Sequence, residues 1–158
     1  MGKNEIKVGI GDYSIAYSPD KILTIGLGSC VGTAIYDVQN HYCGLSHIML
    51  PDSRQFNSVT NPLKFADLAI PIMVDEMVKK GSSIRNLVAK IAGGASMFNF
   101  SDKSMIMDIG NRNSISVNKV LKNLNIRLIA EDVGGNKGRT ITFDTISGKL
   151  QIKTVGVG

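Results

Sequence analysis

Apolar and polar positions alternate in short runs over the first third of the chain, then switch to a helical period, and switch back at the end. From Glu5 to Tyr36 the runs "IKVGI", "SIAYS", "ILTIG" and "VGTAIYDV" are rich in β-branched residues and separated by turn-forming residues, which predicts short strands. Another strand, "CGLSHIML", ends at Pro51. The stretch 51–62, "PDSRQFNSVTNP", is polar and turn-rich and predicts a surface loop long enough to cover a site.

Leu63, Ala66, Ile70, Val74 and Met77 then follow a helical spacing, with Asn61 as N-cap, Pro62 at the first helical position and Gly81 at the end. Pro71 falls inside this pattern and predicts a kink near Asp67 to Ile70. A buried strand, "LVAKIAGG", and a loop, "GASMFNFSDKS", come next. A second helix is predicted from about Asn113 to Asn125, capped by Asn113 or Ser114, with Ile115, Val117, Val120, Leu121 and Leu124 mostly inward. The chain closes with "IRLIAEDV", a glycine turn, and the hairpin "RTITFDT" and "KLQIKTV" around Ser147-Gly148. Strands first, two long helices between strands and a terminal hairpin indicate the α+β or α/β class. The expected fold is a layered sandwich of mixed β-sheet with two helices packed on it.

Composition narrows this further. With 158 residues, 43% of them hydrophobic, and no internal repeat, residues 1–158 fit a single domain with its own core. No apolar run approaches the roughly 18 residues of a membrane span, and "MGKNEIKVGIG" lacks a signal-peptide pattern, so a cytoplasmic protein without membrane insertion is expected. A net charge of +5 and a pI near 9.3 favour acidic partners. The basic residues are scattered rather than blocked, so nucleic acid is not the expected partner.

Two cysteines, Cys30 and Cys43, are expected as thiols rather than a disulfide. Cys30 follows "GLGS", where small residues leave backbone N–H groups free to face a cleft, a setting suited to an acyl-transfer nucleophile. Its base would be one of two histidines. A hairpin of "VGTAIYDV" and "CGLSHIML" turned at Gln39 to Tyr42 places His47 opposite the region of Leu27 to Ile35, within reach of Cys30, and His41 at the far end.

A zinc site built from His41, Cys43, His47 and Cys30 fails on distance. At about 3.3 Å per residue the two histidines stand roughly 20 Å apart, whereas ligands of one ion lie within about 4 Å. The glycine-rich stretches "GIGDYS" and "GGNKGRT" match neither a dinucleotide loop nor a Walker loop, so no cofactor is expected; Lys137 and Arg139 fall at a solvated hairpin tip. The residues alone leave two alternatives open: a thiol hydrolase, or a small buried cysteine beside a satisfied core histidine.

The blocks "LGSC", "GLSHIMLP", "KFADLAIP", "AKIAGGASMF", "IGNRN" and "EDVGGNKGR" resemble, in order and over nearly the whole chain, the CheD family of chemoreceptor glutamine deamidases. The resemblance implies a protein-glutamine glutaminase whose catalytic residues fall on Cys30, His47 and Thr24. It also implies a layered fold similar to the deamidase domain of cytotoxic necrotizing factor toxins, and a CheC-type phosphatase as partner. Cys43 stands where glycine is common in the family, and is expected near the site without a catalytic role.

On this reading Cys30 attacks a receptor glutamine through a thioester, His47 activates the thiol and protonates ammonia, and Thr24 orients the imidazole. The N–H of Cys30 with that of Ser29 forms the oxyanion hole. Hydrolysis of glutamate methyl esters, or a purely binding role toward the phosphatase, are the competing activities. The substrate is the acidic helical surface of a chemoreceptor, docked on the loop 51–61 and on Met97 and Phe98.

Overall fold

A computed structural model describes residues 4–96 and 108–155; Met97 and Phe98, the expected docking residues, lie outside them. The strands are β1 (Glu5–Val8), β2 (Tyr13–Tyr17), β3 (Lys21–Leu27), β4 (Val31–Asp37), β5 (Tyr42–Ile48), β6 (Leu87–Gly93), β7 (Arg127–Val133), β8 (Gly138–Asp144) and β9 (Lys149–Val155). Two helices, α1 (Ala66–Lys79) and α2 (Ile109–Asn123), complete the framework. The α+β class expected from the pattern is the class observed.

The strands divide between two sheets, one of order β1-β3-β8-β9 and one of order β2-β5-β4-β6-β7. Side chains alternate across a strand, and the two faces of the five-stranded sheet can be told apart at its glycines. A side chain at Gly44 would meet Met73 and Met77 of α1, whereas one at Gly32 would meet Leu27 and Ile141 of the four-stranded sheet. The order of layers is therefore helices, five-stranded sheet, four-stranded sheet.

Each interlayer space has its own core. Val31, Ile35 and Ile48 pack with Met73, Met77, Val117 and Leu121 beneath the helices, while Leu27, Ala34, Leu45, Ile141 and Phe143 pack between the sheets. Every residue of β4 and β5 is buried, because both faces of the central sheet are covered.

The register of the β4–β5 hairpin pairs Gly32 with His47 and Asp37 with Tyr42, so His47 lies at the Cys30 end and His41 at the turn, as the hairpin reading expected. His41 adopts φ of 59° in that turn, and its Nδ1 shares a 2.9 Å hydrogen bond with the Tyr36 hydroxyl.

Both helix starts differ from expectation. Asn61 caps a separate single turn, Pro62–Lys64, with its Oδ1 accepting from the Leu63 N–H at 3.0 Å, and α1 begins only at Ala66. The cause is pairing: the amides of Met49 and Leu50 both donate to the Lys64 carbonyl at 2.9 Å, which holds the chain extended at Phe65 before the helix can start. From there α1 runs on through Pro71 to Lys79.

Helix α2 starts four residues earlier than Asn113, at Ile109, with the Asp108 carboxylate accepting from the Asn111 N–H at 3.2 Å. Gly110 permits this, since a side chain there would collide with the backbone of Gly94 and Ala95. No helix among the described residues is long and apolar enough to cross a membrane.

Candidate active site

The candidate site forms where the chain passes from one sheet to the other. Strand β3 belongs to the four-stranded sheet and β4 to the five-stranded one, so Gly28, Ser29 and Cys30 are the crossing. The pairing of β3 with β8 shifts register between Thr24 and Leu27. Gly26 takes φ of 82°, and its carbonyl accepts from the Gly28 N–H at 3.1 Å. This irregularity lifts the chain out of its sheet, a common use of bulges beside functional groups.

The crossing is fixed by its carbonyls. Gly28 O accepts from the Ala95 N–H at 2.9 Å and Cys30 O from the Gly94 N–H at 2.8 Å, while Ser29 O accepts from the Asn113 side-chain amide at 2.9 Å. The amides of Ser29 and Cys30 donate to nothing among the described residues. Gly93 lies so close beneath that a side chain there would strike the Cys30 carbonyl, and its φ of 115° is one that residues with a side chain rarely adopt.

His47 projects from β5 into the intersheet layer, fully buried. Gly32, opposite it, carries no side chain, and the space one would fill is taken by Ile141 and Leu27. Cys30, two residues before Gly32, is partly exposed and packs against the intersheet core. A diagonal cross-strand neighbour of this kind lies about 7–8 Å away between Cα atoms and closer between side chains. The structure thus gathers Cys30 and His47 at one end of the layer.

Thr24 reaches the same point from the other sheet. Its hydroxyl lies 2.7 Å from His47 Nδ1 and 2.7 Å from the Val8 carbonyl oxygen. A carbonyl only accepts, so the single hydroxyl proton points to Val8, and Nδ1 must carry the proton it donates to Thr24. The neutral imidazole is therefore the Nδ1–H tautomer, with the lone pair on Nε2. That nitrogen is buried and makes no hydrogen bond among the described residues.

Burial pushes the Cys30 thiol above its ordinary value of 9.0 and the His47 imidazole below its ordinary 6.5. Both shifts favour the neutral form of the group concerned.

Cys43 faces the same layer but lies four residues from His47 along β5, about 13 Å away. It is fully buried, and burial holds its thiol well above 9.0. It does not join the site, contrary to the expectation of a neighbouring thiol.

Arg139 is the clearest correction. Instead of a solvated hairpin tip it is buried, donating from Nη1 to Gly93 O at 3.1 Å and from Nη2 to Gly134 O at 2.8 Å. It secures the glycine on which the Cys30 crossing rests, while Lys137 stays exposed. Asn113, expected as a helix cap, lies inside α2, which Asp108 caps. The signal that could have found both is a polar side chain predicted beside a glycine-rich segment, whose backbone must be satisfied by something.

The loop after Pro51 does not stand over the crossing in its described contacts. Ser53 bonds from its N–H and Oγ to Asp67 of α1 at 2.9 and 2.6 Å, Gln55 meets Arg112 of α2 at 2.8 Å, and Pro51 O accepts from Ser116 Oγ at 2.6 Å.

Comparison with known proteins agrees with this architecture. A family model described as CheD chemotactic sensory transduction matches residues 49–154. Over 154 residues the chain is 66% identical to the probable chemoreceptor glutamine deamidase CheD of Clostridium acetobutylicum, covering 98% of this chain and 93% of the relative. It is 65% identical over 158 residues to the protein of the same description from Clostridium botulinum strain Hall, covering 100% of this chain and 98% of the relative. These alignments span Thr24, Cys30 and His47, which precede the stretch matched by the family model.

Among solved structures, the Bacillus licheniformis hypothetical protein YfiH superposes on 79% of this chain and 51% of its own, with a TM-score of 0.52 and 13% sequence identity, a likeness of fold. The family model, which matches two thirds of the chain, and the near full-length relatives show that the chain belongs to the CheD family.

Proposed function

We propose that this protein is a cytoplasmic chemoreceptor glutamine deamidase, with Cys30 as nucleophile, His47 as base and acid, and Thr24 as the residue that orients His47. The observation that carries this reading is the Thr24 hydroxyl held between the Val8 carbonyl and His47 Nδ1, from which the Nδ1–H tautomer follows; Nε2, without a partner among the described residues, is then the base for the Cys30 thiol.

Nε2 takes the thiol proton as Sγ bonds to the carbon of the side-chain amide, and the carbonyl electron pair moves onto oxygen. The Cys30 and Ser29 amides face that oxyanion, each donor contributing about 3 kcal/mol. Collapse breaks the C–N bond, His47 returns the proton to nitrogen, and ammonia leaves. Water, deprotonated by the same Nε2, attacks the thioester; Sγ departs, recovers its proton, and glutamate remains.

Thr24 is neutral, so it stabilises the transient imidazolium less than a carboxylate would. Burial of both groups favours the neutral pair, which suits transfer of the thiol proton during attack over a standing thiolate. A net charge of +5 suits an acidic helical substrate.

The test is ammonia release, together with mass spectrometry of receptor cytoplasmic domains incubated with wild type and with Cys30→Ala. Conversion of specific glutamines to glutamate by wild type alone is expected; equal conversion by Cys30→Ala would sink the assignment. Binding to a CheC-type phosphatase needs no thiol, so Cys30→Ala retains it.

A further inference from the structure

Asn113 has no exposed surface although it sits in the second turn of α2. Its side-chain nitrogen donates to Ser29 O at 2.9 Å and to Met49 O at 2.9 Å, while its Oδ1 is buried with no partner among the described residues. Both partners are carbonyls, so the orientation of the amide is settled: the reverse would set oxygen against oxygen. Leaving a buried acceptor unpaired is unfavourable, and it accompanies the placing of both amide hydrogens on two specific carbonyls. Those carbonyls belong to the residue before Cys30 and to the second residue after His47.

The consequence follows from peptide geometry. In a planar trans peptide the C=O and the following N–H point in opposite directions. Holding Ser29 O toward α2 therefore turns the Cys30 N–H away from α2, and that amide makes no hydrogen bond among the described residues. The Ala95 N–H does the same for the Ser29 amide by holding Gly28 O.

We infer that Asn113 is a positioning residue of the deamidase. It clamps the Ser29–Cys30 peptide plane so that the Cys30 N–H meets the oxyanion formed on the substrate glutamine, and it ties this plane to the strand end that carries His47. This rests on the deamidase reading above. Asn113 touches no substrate; it acts through the backbone it holds.

The test separates oxyanion support from thiol reactivity in the full chain. When Sγ attacks an amide carbon, charge develops on the carbonyl oxygen. When Sγ displaces iodide from iodoacetamide, no such charge develops, so alkylation reports the thiol and its base alone. Asn113→Ala is expected to lower kcat for receptor deamidation by about 100-fold, with KM and the alkylation rate of Cys30 within about twofold of wild type. An unchanged kcat would overturn the inference. So would a parallel fall in kcat and alkylation, which would mark Asn113 as a general support of the fold.

Should Asn113→Ala not fold, Asn113→Asp keeps the shape. Its carboxylate has no donor for the two carbonyls, but the protonated acid regains one. Its activity relative to wild type is expected to rise as pH falls from about 8 to about 5.5, because burial against carbonyls raises the pKa of an acid; a flat ratio would overturn the inference. If wild type itself releases no ammonia from receptors, the deamidase reading fails. If wild type is active and the variants equal it, only the role of Asn113 fails.

Discussion

Cys30 and Cys43 face the same intersheet layer from two ends of one hairpin, and burial raises both thiols above 9.0. At the Cys43 end β5 is flanked on both sides, by Ala16 of β2 and Tyr36 of β4, and the thiol donates to the neighbouring Gly44 carbonyl at 3.4 Å. At the Cys30 end the chain is crossing between sheets. There the carbonyls are tied back, and two amides and the Nε2 of His47 have no partner among the described residues. The same side chain is inert packing in one setting and a candidate nucleophile in the other. The difference lies in the backbone and the base, since desolvation acts on both.

The largest break in that comparison comes from exchanging the thiols for methyl groups. Cys30→Ala is expected to reduce deamidation by on the order of 10⁴-fold or more, with folding intact. Cys43→Ala should leave kcat within about twofold and lower stability by about 1–2 kcal/mol through the small cavity it opens. Activity lost in Cys43→Ala at full folding would erase the distinction.

Next comes Thr24→Val, which keeps the shape but leaves His47 Nδ1–H and Val8 O without their shared partner. Deamidation should fall about 10–100-fold, and Thr24→Ser should restore most of it. A Thr24→Val enzyme at wild-type rate would show that imidazole orientation is set elsewhere.

Alkylation sharpens the contrast in the native state. Iodoacetamide should label Cys30 and spare Cys43, with peptide mapping to score each; both react after denaturation. Because burial raises Cys30, its labelling rate should still climb as pH passes 9.0.

The smallest effect is on stability against pH. His47 is depressed below 6.5 in the fold, so the unfolded chain binds its proton more readily. The contribution of neutral His47 is complete above 6.5 and is lost as pH falls through its folded value. Thermal melts should show wild type losing more stability than His47→Asn between about pH 7 and about pH 5.

Legibility in the sequence followed range of interaction. The Cys30–His47 approach was readable because a hairpin with a short turn has one register, and Gly32 opposite His47 lies two residues from Cys30. Thr24 drew notice only through family resemblance. A threonine in an alternating strand looks like any other, and the partner of its hydroxyl lies in another sheet. Arg139 and Asn113 stand apart from the sequence expectation for the same reason. Local polarity argues for a turn tip and a helix cap, and nothing nearby in the sequence shows that the carbonyls of Gly93 and Ser29 await donors.

By itself the sequence determined the strands, the two helices, the hairpin that brings His47 toward Cys30, and the family. Those properties rest on periodicity, turn chemistry and contacts between neighbours in the chain. Only the tertiary structure decided that the strands form two sheets, that the "GLGS" segment before Cys30 is the crossing between them, and that Thr24 selects the imidazole tautomer. Buried backbone and side-chain polar groups must find partners wherever the fold brings them, and those partners come from segments that periodicity cannot bring together.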